Sequence, residues 1–167
     1  MTSTPGTRVI FSPRGGTSTD LTRLIKAAKK EIDVAAYAFS SKYLGQALSA
    51  ALKRGVNIRI ILDADNARKS YSLDEWLAGE GIEVRYIMVK GGNMHHKFML
   101  IDGKRLMTGS YNFTNDSEFR NHEAAIFTNN KGLIQSFTAE FERLWSQCTP
   151  AESAVTPYSD SETTGPS

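Results

Sequence analysis

The chain has 167 residues, 40% hydrophobic and 23% charged, with a formal charge of +2, a composition typical of a single globular domain. No apolar run approaches the roughly 18 residues that span a membrane, and residues 1–6 lack the apolar core of a signal peptide, so we expect no anchor or leader and leave the compartment, cytoplasm or periplasm, open. The single cysteine, Cys148, excludes an intramolecular disulfide and a thiolate metal cluster within one chain.

Strand and helix patterns alternate through the first half of the sequence. Four runs are apolar or alternate like strands: residues 8–11, 32–39, 57–62 and 82–88. Three segments between them have apolar residues at helical spacing and capping residues at their ends: residues 21–30, 44–52 and 72–78. This β-α-β-α-β-α-β order predicts neighbouring parallel strands connected by helices.

The second half predicts a hairpin, one more strand and a closing helix. Residues 95–101 and 105–108 form the hairpin, because the Asp-Gly pair at 102–103 is a strong turn signal. The last strand covers residues 121–128, and residues 134–145 place large apolar side chains on one helical face. We therefore predict an α/β fold with a mixed, mostly parallel β-sheet flanked by helices on both faces.

Charge and composition change after Cys148. Residues 149–167 carry three acidic residues and no Lys or Arg, which leaves 20 basic against 15 acidic residues in residues 1–148. The same segment is rich in Ser, Thr and Pro and has little apolar surface to bury. We expect residues 1–148 to form the folded domain and residues 149–167 to be a disordered tail. The basic excess of the domain suits a polyanionic partner without identifying one.

The predicted hairpin carries the most informative side chains. Along its first strand, alternation places His95 and Lys97 on one face and His96 on the other. A histidine beside a fixed cation suits a phosphodiester, whose transition state gathers negative charge on its non-bridging oxygens. Ser110 and Asn112 follow the second strand and add donors for those oxygens. Each feature alone is more often a solvated strand edge or a turn, so the combined spacing carries the interpretation.

That combined spacing resembles a known signature. Six residues match the HxKx4Dx6GSxN pattern of the phospholipase D superfamily at every position: His95, Lys97, Asp102, Gly109, Ser110 and Asn112. Four further segments resemble the small bacterial nucleases of this superfamily: residues 11–13, 35–42, 54–56 and 94–99. The resemblance covers about residues 8–147 and implies one phospholipase D-like half per chain.

The resemblance implies a role for each side chain of the site. His95 is implied as the nucleophile that forms a covalent phosphohistidine, while a second copy of it protonates the leaving oxygen. Lys97 and Asn112 are implied to hold the non-bridging oxygens, with Ser110 supporting the phosphate site. Glu123 resembles the downstream acid that accepts the other N–H of the histidine and fixes its tautomer.

Other polar residues of the region carry weaker expectations. Asp102 is expected to organise the hairpin rather than to touch substrate. His96 and His122 are expected to be packed or capped. Asp63 and Asp65 form the only tight carboxylate pair in a predicted loop, and such a pair more often caps a helix than binds a metal ion. The resemblance also implies that the enzyme uses no metal and no other cofactor.

Three functions are compatible with these features. The favoured one is a metal-independent, sequence-nonspecific endonuclease that acts on DNA or RNA. Six cations are candidates for following a phosphate backbone: Arg14, Arg54, Arg68, Lys69, Lys90 and Arg120. The alternative is a lipid phosphodiesterase acting on cardiolipin or phosphatidylcholine, less favoured because no membrane anchor is evident. A non-catalytic nucleic-acid-binding module is disfavoured because no position of the motif has decayed.

The sequence also predicts a homodimer with the active site at its two-fold interface. The implied mechanism needs two histidines on opposite sides of phosphorus, and His95 is the only one of the three histidines in the motif. A second His95 then comes from another copy, most simply across a two-fold axis through the site. We expect the motif strands and residues 110–119 to line that interface, with Tyr111, Phe113 and Phe119 as apolar contacts.

Overall fold

The structure is a computed structural model that describes residues 6–150. Eight strands follow the chain in this order: β1 Thr7–Ser12, β2 Glu31–Ala36, β3 Asn57–Asp63, β4 Glu83–Ile87, β5 Lys97–Ile101, β6 Arg105–Gly109, β7 Glu123–Thr128 and β8 Thr149–Pro150. Six helices lie between them: α1 Thr17–Ala27, α2 Lys42–Lys53, α3 Ala64–Ala67, α4 Asp74–Gly79, α5 Asn115–Phe119 and α6 Lys131–Trp145. The α/β class predicted from the sequence is confirmed.

The strands form one mixed sheet in the order β1-β7-β6-β5-β2-β3-β4-β8. Only the β2–β3 and β3–β4 pairs are parallel. The other five pairs are antiparallel. The prediction of a mostly parallel sheet is therefore wrong in that detail. The reason is that β1 leaves the β-α-β run and pairs with β7, while β5, β6 and β7 form an antiparallel meander beside β2.

Helices cover both faces of the sheet, as predicted. On one face, Leu21 and Ile25 of α1 and Leu44 and Leu48 of α2 are fully buried against the sheet. On the other face, α6 packs on β5 and β6 and buries Phe141. Each such side chain contributes about 1.5–3 kcal/mol by leaving water, so both layers hold the sheet rigid.

Several strands end at the same edge of the sheet, which we call the His95 edge. Ser12, the last residue of β1, pairs with Glu123, the first residue of β7. Ala36, the last residue of β2, pairs with Lys97, the first residue of β5. Gly109, the last residue of β6, pairs next to them, with Ala125. The register therefore brings residues from distant parts of the sequence to one edge, where the loops carry the motif.

The described chain ends in a short strand. Thr149–Pro150 pairs with β4 through Tyr86 and Arg85, so the predicted boundary after Cys148 falls two residues before the end of the sheet. The rest of the predicted tail, residues 151–167, lies outside the described residues. Within residues 6–150, the structure contains no helix that is long and apolar enough to cross a membrane.

Candidate active site

His95 and Lys97 are in direct contact at the His95 edge. The Lys97 Nζ donates to His95 Nδ1 at 2.8 Å and to the His95 carbonyl oxygen at 2.7 Å. The ring of Tyr37 supports both, with its centroid 4.6 Å from the His95 ring and 5.4 Å from Lys97 Nζ. The pair is therefore fixed at the start of β5, with the imidazole exposed and the lysine 7% exposed.

The burial of Lys97 destabilises its charged form. Burial lowers the pKa of Lys97 from its ordinary value, while the nearby negative charge of Glu123 opposes that change. A partly desolvated ammonium is a stronger partner for an anion than a solvated one, because the effective dielectric constant around it is lower. This position suits a cation that meets a phosphate oxygen.

His96 faces the opposite side of the sheet, as alternation predicts. Its Nε2 lies 3.0 Å from Glu140 Oε1 on α6, and its ring contacts Phe98 edge to face at 5.6 Å. Glu140 also pairs with Arg143, at 2.7 Å, and this pair together with His96 holds the pKa of Glu140 down to about 2. Both histidines precede β5, which begins at Lys97 rather than at His95.

The Gly109-Ser110 step is set by a close approach of two strands. A Cβ at Gly109 would overlap the carbonyl oxygen of Ala124 in β7, so the position requires glycine. Ser110 then pairs with Ala124 twice, because its N–H donates to the Ala124 carbonyl and its Oγ accepts from the Ala124 N–H at 3.0 Å. The Ser110 hydroxyl proton remains available to donate into the site.

Asn112 sits between two residues of the core. Tyr111 is 1% exposed and donates its hydroxyl to Glu118 at 2.9 Å, and Phe113 is fully buried and stacks on Phe39. Among residues 6–150, the Asn112 Oδ1 is buried without a hydrogen-bond partner. Buried polar atoms normally have a partner. This atom is an acceptor, so the phosphate contact implied for Asn112 would come from its Nδ2 donor and stays a prediction.

The burial of these two aromatic residues corrects the predicted dimer contacts. Tyr111 and Phe113 belong to the core of their own chain and offer no surface to a second copy. Their place on the loop had suggested an interface, but the neighbouring helices cover them. Phe119 is 55% exposed and stays accessible.

Glu123 lies near the pair without touching the histidine. It is half-buried at the start of β7 and accepts from Asn121 Nδ2 at 3.3 Å. In the part of the chain that the structure describes, no hydrogen bond links Glu123 to His95, because Lys97 occupies His95 Nδ1. The tautomer-fixing role implied for Glu123 stays a prediction.

Asp63 has a contact beside the motif that the sequence did not predict, in addition to its expected capping role. Its carboxylate, 2% exposed at the end of β3, accepts from the Asn66 N–H at 2.9 Å and caps α3, as expected for this position. Its second oxygen accepts from the Met94 N–H at 2.9 Å, which fixes the residue before His95. An acid directly after a buried strand was the only available signal. Asp65 is exposed and pairs with Arg68.

Asp102 lies at the far end of β5, away from His95. Its carboxylate accepts from three consecutive backbone N–H groups, those of Lys29, Lys30 and Glu31, at 2.8 to 3.0 Å. Burial alone would raise the pKa of Asp102, but these donors and the charge of Lys104 hold it below its ordinary value. Asp102 therefore ties the hairpin to the segment that leads into β2. No group of three or more potential metal ligands was found among the described residues.

Four of the predicted backbone-binding cations are exposed on loops at the His95 edge: Arg14, Arg68, Lys69 and Arg120. Two have weak partners, since Arg68 and Arg120 each pair with an exposed aspartate at 3.3 Å. Lys90 is exposed on the β4–β5 loop at the same edge. Arg54 is a correction, because it donates to the carbonyl oxygens of Ile25 and Lys26 and caps α1 at the opposite edge.

A groove of about 480 Å³ gives access to His95. Its lining comes from the β4–β5 loop, including Val89 and Met94, and from α6, including Glu140 and Arg143. The volume lies within the roughly 300–1,000 Å³ of ligand sites. His95 and His96 both line this groove, whereas Lys97, Ser110 and Asn112 do not.

Comparisons with known proteins identify relatives of the chain. A family model described as "Cardiolipin synthase, PLD-like domain" matches residues 21–145. The chain is 36% identical to the human mitochondrial cardiolipin hydrolase over 132 residues, which are 79% of this chain and 52% of that protein. It is 34% identical to a phospholipase D of Rickettsia prowazekii over 127 residues, 76% of this chain and 62% of the relative.

A solved structure extends the likeness to the fold. The crystal structure of Nuc, a phospholipase D family member from Salmonella typhimurium, matches with a TM-score of 0.80 and 31% identity. The match covers 86% of this chain and 96% of Nuc. The chain thus spans nearly all of Nuc but little more than half of the curated relatives. On the family model, the sequence identities and the fold together, the chain belongs to the phospholipase D superfamily.

Proposed function

We propose that this chain is a phosphodiesterase that cleaves the backbone of DNA or RNA without a metal cofactor and with little sequence preference. The observation that carries the proposal is the contact between His95 and Lys97, 2.8 Å apart at an open sheet edge. A nucleophile beside a desolvated cation meets the two needs of a phosphodiester, attack at phosphorus and neutralisation of the non-bridging oxygens.

The proposed reaction has two steps. In the first, His95 Nε2 attacks phosphorus, a P–N bond forms, and the P–O bond to the leaving oxygen breaks as the partner's His95 donates its proton to that oxygen. In the second, the partner's His95 takes a proton from water, the resulting hydroxide attacks phosphorus, and the P–N bond breaks. Each histidine thereby returns to its starting state.

The resting hydrogen bonds assign a starting state to the ring. A neutral imidazole that accepts from Lys97 at Nδ1 carries its proton at Nε2. The general acid is the imidazolium, which carries a proton on both nitrogens. Attack needs the other tautomer, with Nε2 free. We infer that the substrate's oxygens draw Lys97 away from Nδ1, and that Glu123 then accepts the Nδ1 proton of the attacking ring.

Nucleic acid is favoured as the substrate by the surface around the site. The exposed cations lie on three loops along the His95 edge, with Arg14 and Arg120 on one each and Arg68 and Lys69 sharing the third, so they can contact successive phosphates rather than a single headgroup. The chain also resembles the small bacterial nucleases of the superfamily in its motif and flanking segments. Charge contacts of this kind give affinity without sequence readout.

A lipid phosphodiesterase is the second candidate, because relatives are named cardiolipin hydrolase and phospholipase D. One feature of the surface fits a bilayer. Met88 and Val89 are 53% and 36% exposed on the loop that leads to His95, with Lys90 beside them. An apolar loop tip with an adjacent cation suits an anionic lipid surface.

We propose that the active form is a homodimer that shares the site. The contact surface proposed here is an uncovered face of β1 and β7, where Val9, Phe11 and Ile126 are 40 to 67% exposed. It replaces all three contacts expected from the sequence, Tyr111, Phe113 and Phe119. Val9 pairs with Ile126, so these side chains form one patch that reaches the His95 edge at Phe11. An exposed apolar sheet face next to an incomplete site favours a second copy as its occupant.

A substrate panel in excess EDTA tests the function. Plasmid DNA, single-stranded DNA, RNA, and vesicles of phosphatidylcholine with and without cardiolipin are incubated with the wild-type chain and with His95→Ala as the matched control. We expect cleavage of nucleic acid that persists in chelator, disappears in His95→Ala and is inhibited by vanadate. Hydrolysis of lipid alone favours the second candidate. Silence in EDTA with rescue by magnesium contradicts the proposed mechanism.

A further inference from the structure

A second cavity lies beside the motif loop, on the helical face opposite α6. Its volume is about 230 Å³, and its walls come from the N-terminal parts of α1 and α2 and from α5. That volume is below the roughly 300–1,000 Å³ of pockets that enclose whole ligands, so the cavity fits one ring system. Nothing in the proposed chemistry of His95 uses this space.

The cavity shares a wall with the phosphate site. Tyr111, which lies between Ser110 and Asn112, forms part of its lining, together with Ser41. The N–H groups of Ser40 and Ser41 both donate to the Phe113 carbonyl oxygen at 3.0 Å, so the start of α2 is fastened to the motif loop. The cavity therefore adjoins the loop that carries Ser110 and Asn112.

Two exposed aromatic side chains stand at the rim. Tyr43, near the start of α2, is 50% exposed, and Phe119, at the end of α5, is 55% exposed. Both line the cavity although they come from different helices. Large aromatic side chains that are exposed have ring faces that the protein does not cover. A pair of them at one cavity offers faces on which a planar ring can stack.

The polar lining suits a neutral ring rather than a phosphate. No lysine or arginine lines the cavity, and its carboxylate, Glu118, is 5% exposed. Both oxygens of Glu118 are already used, because they accept from the N–H groups of Gly16 and Ser18 and from the Tyr111 hydroxyl. The other polar side chains of the lining are neutral: Ser18, Thr19, Ser41, Tyr43, Thr114 and Asn115. Of these, Ser41 and Thr114 already cap α2 and α5.

We propose that this cavity binds one base of the substrate strand, stacked on Tyr43 and Phe119, next to the phosphate that is cleaved. The proposal rests on the proposed nuclease function and adds to it a subsite that holds the strand without reading its sequence. Every base has a planar face, so stacking tolerates all four. The neutral hydroxyls and amide at the cavity can meet the polar edge of a base without selecting one.

The test compares two single-stranded oligonucleotides of equal length, one complete and one with abasic sugars throughout, on a His95→Ala background that prevents cleavage. We expect the complete strand to bind about 5- to 150-fold more tightly, which is the range for one stacked base. Adding Tyr43→Leu and Phe119→Leu should remove most of that ratio while leaving the affinity for the abasic strand unchanged. Tyr71→Leu, an exposed tyrosine outside the cavity, is the matched control and should keep the ratio.

The outcomes separate this subsite from the function on which it rests. If the wild-type chain cleaves DNA but the double variant keeps the full ratio, the subsite is contradicted and the nuclease function stands. If the wild-type chain hydrolyses methyl 4-nitrophenyl phosphate but neither binds nor cleaves either strand, the nuclease function fails and the subsite with it. Saturable binding of choline that is lost in Tyr43→Leu would identify the cavity as a lipid headgroup site and overturn the proposal.

Discussion

His95 and His96 are adjacent in the sequence but have different surroundings in the structure. His95 contacts a desolvated lysine at an open edge, whereas His96 is held against Glu140 on the other side of the sheet. We predict that His95→Ala lowers kcat by at least about 10³-fold, because nucleophile and general acid are lost together. His96→Ala should keep most of the wild-type kcat, since the His96 ring contacts Glu140 and Phe98 rather than Lys97.

Initial rates on plasmid DNA in EDTA measure both histidine variants, with thermal unfolding as the control for folding. Equal losses in two folded variants would contradict the assignment of His95 as the reacting residue.

Lys97 should give the activity an alkaline limit. Burial lowers its pKa, so the ammonium is lost as pH rises through a value below the ordinary lysine pKa of about 10.4. We predict that kcat/KM falls over that interval, because the deprotonated amine no longer neutralises the phosphate oxygens. The Lys97→Arg variant keeps its charge and should be slower but free of this limit.

A pH profile of kcat/KM for the wild type and Lys97→Arg decides the point. The same alkaline limit in both proteins would assign it to another group. A loss below tenfold in Lys97→Ala, or about 1.4 kcal/mol, would contradict the role of the cation altogether.

The β5–β6 hairpin carries His95 and Lys97 near one end and Asp102 at its turn. The Asp102 carboxylate accepts hydrogen bonds from three backbone N–H groups at the α1–β2 connection. We predict that Asp102→Ala lowers the free energy of unfolding by about 1–2 kcal/mol, the lower part of the range for hydrogen bonds to a charged group, because the carboxylate is partly exposed. Asp102→Asn, which keeps an acceptor, should lose less.

Urea unfolding at several pH values checks this prediction. The pKa of Asp102 is lowered in the folded state, so its contribution is present above the ordinary carboxyl range and is lost as pH falls through the lowered value. Asp102→Ala should therefore differ from wild type at neutral pH and converge with it in acid. Kinetics in which folded Asp102→Ala loses activity as severely as His95→Ala would place Asp102 in the chemistry.

The elements that the sequence predicts are those with enough residues to show a period. Helices α1, α2 and α6 have 11 to 15 residues and display an apolar face, whereas α3 and α5 have four and five residues, too few to repeat an apolar position over several turns. Strand direction was less predictable, because β1 pairs with β7, which lies far from it in the sequence. Local order cannot reveal that choice.

The candidate site divides in the same way. The positions of His95, Lys97, Ser110 and Asn112 were predictable, because their spacing along one hairpin is a local property. The hydrogen bond from the Met94 N–H to Asp63 joins residues 31 apart in the sequence and depends on the strand order. It was therefore not predictable from the sequence. Burial of Tyr111 likewise depends on Glu118 and the helices that pack around the loop.

At the scale of the whole molecule, each chain contributes one of the two histidines that the proposed reaction uses. We predict that wild-type chains refolded with an excess of His95→Ala lose activity faster than dilution, because a mixed dimer has one of the two histidines that the reaction uses. The same excess of His96→Ala chains should cause no such loss. Phe11→Asp, which places a charge on the exposed β1 face, should yield monomers that are folded and inactive.

Sedimentation velocity and activity are measured on the same mixtures. Activity that follows the wild-type fraction linearly, or a fully active monomer, would contradict the shared site.

The most direct test of the account is to trap the covalent intermediate. A single-stranded oligonucleotide is mixed with the chain in EDTA and quenched in alkali within the first turnover, because the P–N bond of phosphohistidine breaks in acid, and peptide mass spectrometry locates the adduct. We predict a nucleotide fragment on His95 that is absent in His95→Ala and present in His96→Ala. Full cleavage activity with no adduct at any time, or an adduct on another residue, would contradict the central claim that His95 attacks phosphorus.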